Sequence, residues 1–227
     1  MTGSSLDDLS ARPSALVLGA GAGLGLALAR RFAREGYHPV LVARDPQRLH
    51  ALVERLGAEG LAATALPADL GDPAALTRVI EDAARAGAPE VLLYNAVGYH
   101  PGPASALPAA TLASDLAVGV VGALAAAQAV LPGMRARGRG TLLFTGGGAA
   151  FGPSTQVATL AVQKAALRNL VLSLAEELEP EGLRVGTVTV AGWIQPGTAF
   201  DPDRIADVYW AMHRRARGEH EIVFRGE

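Results

Sequence analysis

The chain has no cysteine. Disulfides, thiolate nucleophiles and cysteine-ligated zinc are therefore excluded. Net charge is also scarce: 20 lysines and arginines against 22 aspartates and glutamates leave a formal -2, and the two signs are interspersed rather than blocked. Without a basic stripe to follow a phosphodiester backbone, nucleic acid is not an expected partner. Long apolar runs are missing, because glycine, proline or charge interrupts each stretch before it reaches the length of a membrane span, so no membrane association is expected. The opening residues, MTGSSLDDLSAR, are polar and contain two aspartates. They do not resemble a signal peptide, so residues 1–13 are expected to form a flexible tail and the protein to be cytoplasmic.

What the chain does have is apolar bulk, with 50% hydrophobic residues among 227. That is enough to bury one sizeable core, and residues 14–227 are expected to form a single domain. Strand-like and helix-like segments alternate throughout, which predicts an α/β, Rossmann-like, doubly wound parallel sheet of about seven strands. The expected strands are 15–18, 38–43, 61–67, 90–94, 141–145, 184–190 and 221–224. Helices are expected from about 24 to 35, then over 47–56, 74–86, 111–137, 162–178 and 201–217. The last of these is expected to lie over the site.

The organising stretch is Ala15 to Arg30, ALVLGAGAGLGLALAR. An apolar strand breaks into glycines at Gly19, Gly21, Gly23 and Gly25, and a helix-forming series resumes at Leu24. Such a turn lets a bulky anion approach the backbone without meeting a Cβ, and the helix dipole then favours negative charge. Strand, glycine loop and helix together point to a dinucleotide site.

The spacing Gly19, Gly23, Gly25 resembles the GxxxGxG variant of the short-chain dehydrogenases/reductases, and the resemblance extends from Ser14 to Phe224. Tyr94-Asn95-Ala96-Val97-Gly98 looks like the family's NNAG motif with Tyr for the first Asn and an inserted valine. LAVQKAALRNL around Lys164 and Ala191-Gly192-Trp193-Ile194 are similarly family-like. The resemblance implies a nicotinamide cofactor, with Asp69 on the adenine amino group and Leu70 beside it. Asn95 would tie neighbouring strands together, and Ala96 would let the cofactor lie close. Lys164 would hold the nicotinamide ribose, Ile194 would meet the carboxamide through its backbone, and Thr198 would reach the pyrophosphate. Where family members that prefer NAD place an acid at the end of the second strand, this chain has Ala43 followed by Arg44. A guanidinium there suits the 2′-phosphate of NADP(H), so NAD(H) is the less favoured cofactor. A homodimer or homotetramer built on the helices over 111–137 and 162–178 is also implied.

The same resemblance places the family's catalytic Asn, Ser and Tyr at Gly119, Gly147 and Leu160. Of the four catalytic groups only Lys164 remains. The expected function is an NADP(H)-binding oxidoreductase with an atypical site, acting on a small carbonyl or alcohol compound; the alternative is a pseudoenzyme that senses the cofactor without turnover. A substitute acid is sought first at Tyr99 and His100, in the loop after the fourth strand, and then at Tyr209 and His213. These last two are four apart on one helix face, though a solvated helix end is the stronger reading of His213.

Overall fold

The computed structural model describes residues 13–87, 89–215 and 218–227. The expected tail, except Pro13, and the expected end of the last helix at 216–217 lie outside the described residues.

Strand β1 (Ser14–Leu18) is buried along its whole length. On one side it pairs in parallel with β2 (His38–Ala43) and on the other with β4 (Pro89–Tyr94). With β3 (Thr64–Pro67), β5 (Thr141–Gly147), β6 (Arg184–Val190) and β7 (Glu221–Phe224) they form a seven-stranded parallel sheet in the order β3-β2-β1-β4-β5-β6-β7. Unbroken apolar runs such as HPVLVA and SALVL suit strands covered on both faces. Leu18 stands in register with both Val42 and Tyr94. Gly19, Arg44 and Asn95 therefore leave the sheet at the same edge, where the strand order reverses and ligands bind in such folds.

Helices α1 (Leu24–Arg34), α2 (Pro46–Ala58) and α7 (Pro202–Arg214) cover one face, with Phe32, Leu49, Leu56 and Tyr209 in its core. On the other face lie α3 (Pro73–Ala86), α5 (Gly122–Arg137) and α6 (Ala158–Leu178), centred on Leu76, Ala126, Val130 and Val171. Asp45 and Asp72 cap α2 and α3, each accepting from two backbone amides ahead of a first-turn proline.

Several expectations need correction. Strand β3 starts at Thr64 and not Leu61, because Leu61 and Ala63 pack on the core without joining the ladder. The helix expected over 111–137 starts at Ala109 as α4 (Ala109–Leu116) and passes through a π-helical turn, Ala117–Val121, before α5. Tyr94 Oη donates to the Val118 carbonyl in that turn. The continuous span 109–137 is long and apolar enough to cross a membrane by length and composition, an 18-residue stretch of it reaching a mean hydropathy of 1.8. Its inner face, however, is core: Ala123, Ala126, Ala127, Val130 and Met134 are buried against the sheet.

Finally, α7 does not lie over the site. It packs beside α1, where Arg30 meets Asp203 at 2.9 Å and Arg31 meets Asp207 at 2.8 Å. His213 on α7 is no solvated helix end, since its ring nitrogens pair with Tyr37 Oη and Thr141 Oγ1, both at 3.0 Å. Burial pushes its pKa down to about 4.

Candidate active site

The glycine loop leaves β1 at Gly19, whose φ of +82° favours glycine, and a Cβ there would stand 2.6 Å from the Ala96 nitrogen. Side chains are thus excluded twice at this position. At Gly21 and Gly23, by contrast, a Cβ would meet nothing within 4 Å, so packing does not explain these glycines. They leave the backbone bare toward a cavity of about 740 Å³. Helix α1 opens onto that cavity with no side chain capping its first turn and no acidic residue in it. Uncapped amides, the positive end of the dipole and a bare backbone fit a pyrophosphate.

Leu24 and Gly25 line the same cavity, as do Tyr99, Gly147, Leu160, Lys164 and Ile194. A second cavity of about 570 Å³ is lined by Ala43, Arg44, Asp69, Leu70, Ala96, His100 and Asp115. The two share Asn95, Val97 and Tyr99. One elongated site therefore has glycines and a lysine in one half and an arginine with an aspartate in the other, as an NADP-sized ligand requires. Asp69 also accepts from Gly71 N at 2.9 Å, so its carboxylate shapes its own turn while facing the cavity.

Asn95 sits where the halves meet. Its amide donates to Gly19 O at 3.2 Å and its oxygen accepts from Thr145 Oγ1 at 2.8 Å. This ties β1, β4 and β5 together. Thr145 in turn accepts from Tyr209 Oη at 2.6 Å. Tyr209 is wholly buried, and burial raises its pKa. Its hydroxyl steadies the strand and is not available as an acid.

Lys164 Nζ donates to Thr145 O at 2.7 Å, and burial lowers its pKa from 10.5 to about 8. Below pH ~8 the unfolded and folded states both carry this proton, and the folded state bears the full cost of the buried charge. As pH rises from about 8 to 10.5 the folded state loses the proton first, so stability rises. Lys164→Met is therefore expected to stabilise the cofactor-free protein at pH 7 by about 1–3 kcal/mol, the gain being reduced by the lost hydrogen bond. Urea unfolding at pH 7 and pH 10 checks this, with the difference from wild type shrinking at the higher pH.

Around Lys164 the neighbours are bare. Leu160 is one turn earlier on α6. Gly147 lies so close that a Cβ would be 3.4 Å from Lys164 Cγ, which is ordinary contact. Gly119 is different: a Cβ there would be 2.2 Å from Gln163 Oε1. Gln163 is buried; it accepts from Gly98 N at 3.1 Å and donates to Gly98 O at 3.0 Å and Thr159 O at 3.2 Å. It fastens the loop carrying Tyr99 and His100 to α6. Sequence reading missed Gln163, although a long polar residue beside Lys164 and a glycine in a helix were both visible.

It also missed Asp115. This carboxylate is 1% exposed and pairs through Oδ1 with His100 Nδ1 at 2.8 Å. The pairing fixes the ring, with Nδ1 turned to the acid and Nε2 left for other partners. Gly98 makes room for it, because a Cβ there would lie 2.6 Å from the Asp115 Cα. Gly98→Ala is expected to lower stability by about 2–3 kcal/mol, as overpacking against backbone does, and to loosen the loop. A thermal melt and limited proteolysis of 97–108 check both effects.

Thr198 is not brought to either cavity. Its hydroxyl donates to Gln195 O at 2.8 Å and accepts from Phe200 N at 3.1 Å, closing a turn before α7. Tyr99 and His100 are at the site, with His100 in the second cavity and Tyr99 bordering both.

Comparison with known proteins agrees with this architecture. The family model for short chain dehydrogenases matches residues 13–199. A 2,3-dihydro-2,3-dihydroxybenzoate dehydrogenase of Bacillus subtilis (strain 168) is 30% identical over 210 residues, 92% of this chain and 76% of that protein. Other relatives are matched over 52–69% of their own length. Among solved structures, a metagenomic short-chain oxidoreductase in complex with NADP superposes with a TM-score of 0.84 at 30% identity, covering 93% of this chain and 96% of that one. A short-chain dehydrogenase from Sphingobium yanoikuyae in complex with NADPH gives 0.80 at 30% identity, covering 93% and 86%.

Proposed function

The chain belongs to the short-chain dehydrogenase family, and on that footing we propose that it is an NADP(H)-dependent oxidoreductase of small carbonyl or alcohol compounds with an altered catalytic centre. The carrying observation is the two-part cavity, with the bare glycine loop and Lys164 at one end and Arg44 and Asp69 at the other. The NADP- and NADPH-bound relatives support the choice of cofactor.

Bound NADPH supplies a hydride. The chain's own residues seat the pyrophosphate on the α1 amides, the 2′-phosphate on Arg44, the adenine at Asp69 and Leu70, and the nicotinamide ribose on Lys164. The family's catalytic Asn, Ser and Tyr stand here as Gly119, Gly147 and Leu160, none of which offers a proton. Tyr99, which borders both cavities, is then the candidate nearest these positions to give one, while His100, held by Asp115, lies in the half that carries Arg44 and Asp69. The exposed Val121 and Val162, on the outer faces of the 109–137 span and α6, support a homodimer or homotetramer built on these helices. Use of the NADPH pool accords with a cytoplasmic protein.

A second reading, a cofactor sensor without turnover, is favoured by the absence of a side-chain hydroxyl at positions 147 and 160, both in the cavity with Lys164. NADPH oxidation across aldehydes, ketones and quinones, run beside calorimetry with NADP⁺, separates them. Turnover that falls in Tyr99→Phe or His100→Ala supports the enzyme and names its acid. Micromolar binding with no turnover on any acceptor supports the sensor, and no binding of either pyridine nucleotide overturns both.

A further inference from the structure

Away from the glycine loop, the large cavity is lined by Val97, Tyr99, Ala149, Val157, Leu160 and Trp193. Trp193 is 73% exposed at the rim, an unusual cost for an indole with no packing duty. The floor is bare at Gly147, where packing does not require glycine, whereas at neighbouring Gly146 a Cβ would collide with Thr189 Oγ1 at 2.4 Å. An apolar slot with an aromatic edge suits a planar ring.

The missing donors point the same way. An aliphatic ketone that receives hydride becomes an alkoxide, about as basic as hydroxide. It needs a proton in place as the charge forms. A quinone that receives hydride becomes a hydroquinone monoanion, a phenolate whose conjugate acid ionises near ~10, like tyrosine. That anion survives until solvent delivers the proton.

We propose that the site takes a planar conjugated acceptor of the quinone class, stacked against Trp193 over the Gly147 floor; this rests on the NADP(H) reading above. The balance is quinone plus NADPH plus one proton giving hydroquinone plus NADP⁺: the hydride carries both electrons, and water supplies the proton after the charge has spread over the ring. Leu160 is then an apolar wall of the ring slot.

The test uses the whole protein saturated with NADP⁺, with which a quinone cannot react, titrated calorimetrically with 1,4-naphthoquinone and with cyclohexanone. Naphthoquinone is expected to bind at least ~10-fold more tightly, and Trp193→Ala, which alters only an exposed side chain, to weaken it by about 10-fold. With NADPH, kcat/KM for naphthoquinone is expected to exceed that for cyclohexanone by at least ~100-fold. NADP⁺ binding without preferential naphthoquinone binding, or indifference to Trp193→Ala, overturns the inference and leaves the cofactor reading standing. Absence of NADP⁺ binding overturns both.

Discussion

Arg44→Ala is expected to weaken NADP⁺ binding by about 10–100-fold while NAD⁺ binding stays within about twofold. The argument begins with the end of β2. Ala43 closes the strand, and Asp45, the next acid, is committed to the amides of Gln47 and Arg48 at the start of α2. Arg44 between them is exposed and lines the second cavity, and among the described residues no hydrogen bond or ion pair engages it. Its guanidinium is thus free to take a phosphate in a forked, charge-assisted contact worth about 1.5–3 kcal/mol. Only NADP(H) carries that phosphate. Calorimetry with both nucleotides at fixed ionic strength measures the ratio, and the NADP⁺ preference of the wild type is expected to shrink as salt rises. Equal losses for the two nucleotides would remove Arg44 from the phosphate site.

The strand, glycine loop and helix that open the fold were legible because they depend on local backbone chemistry. A strand that ends in spaced glycines before a helix is visible in sequence, and β2 was read to the residue because a strand buried on both faces is an almost unbroken apolar run. The helix expected over 111–137 was read as regular because its interruption is set from outside. Tyr94 reaches Val118 from β4, and Gln163 fills the space at Gly119 from α6. Asp115 was invisible for the same reason, since its partner His100 lies in another loop and no spacing announces the pair. The placement of Tyr209 was an avoidable error. Ile205, Tyr209 and Met212 form an apolar stripe at helical spacing, which points the tyrosine into the core.

Leu160→Tyr combined with Gly147→Ser is expected to raise NADPH-dependent reduction of cyclohexanone by about 100- to 1,000-fold, the lower part of what a positioned general acid contributes. Residues 160 and 164 are one turn apart on α6, so a tyrosine hydroxyl would share its face with Lys164, whose buried ammonium loses its proton at about 8. The serine fits, because the added Cβ meets Lys164 Cγ at 3.4 Å. Asparagine at 119 does not fit: its Cβ would stand 2.2 Å from Gln163 Oε1. Installing it requires Gln163→Ser as well, and that change releases Gly98 and the loop behind it. The double variant is therefore expected to keep its melting temperature and NADP⁺ affinity, while the four-substitution variant loses stability without further gain. Naphthoquinone reduction should fall in the double variant, because the new phenol fills the ring slot and donates a proton that acceptor does not need. An unchanged ketone rate in a folded, NADP⁺-binding double variant would mean that Leu160 and Gly147 do not occupy the acid and orienting positions.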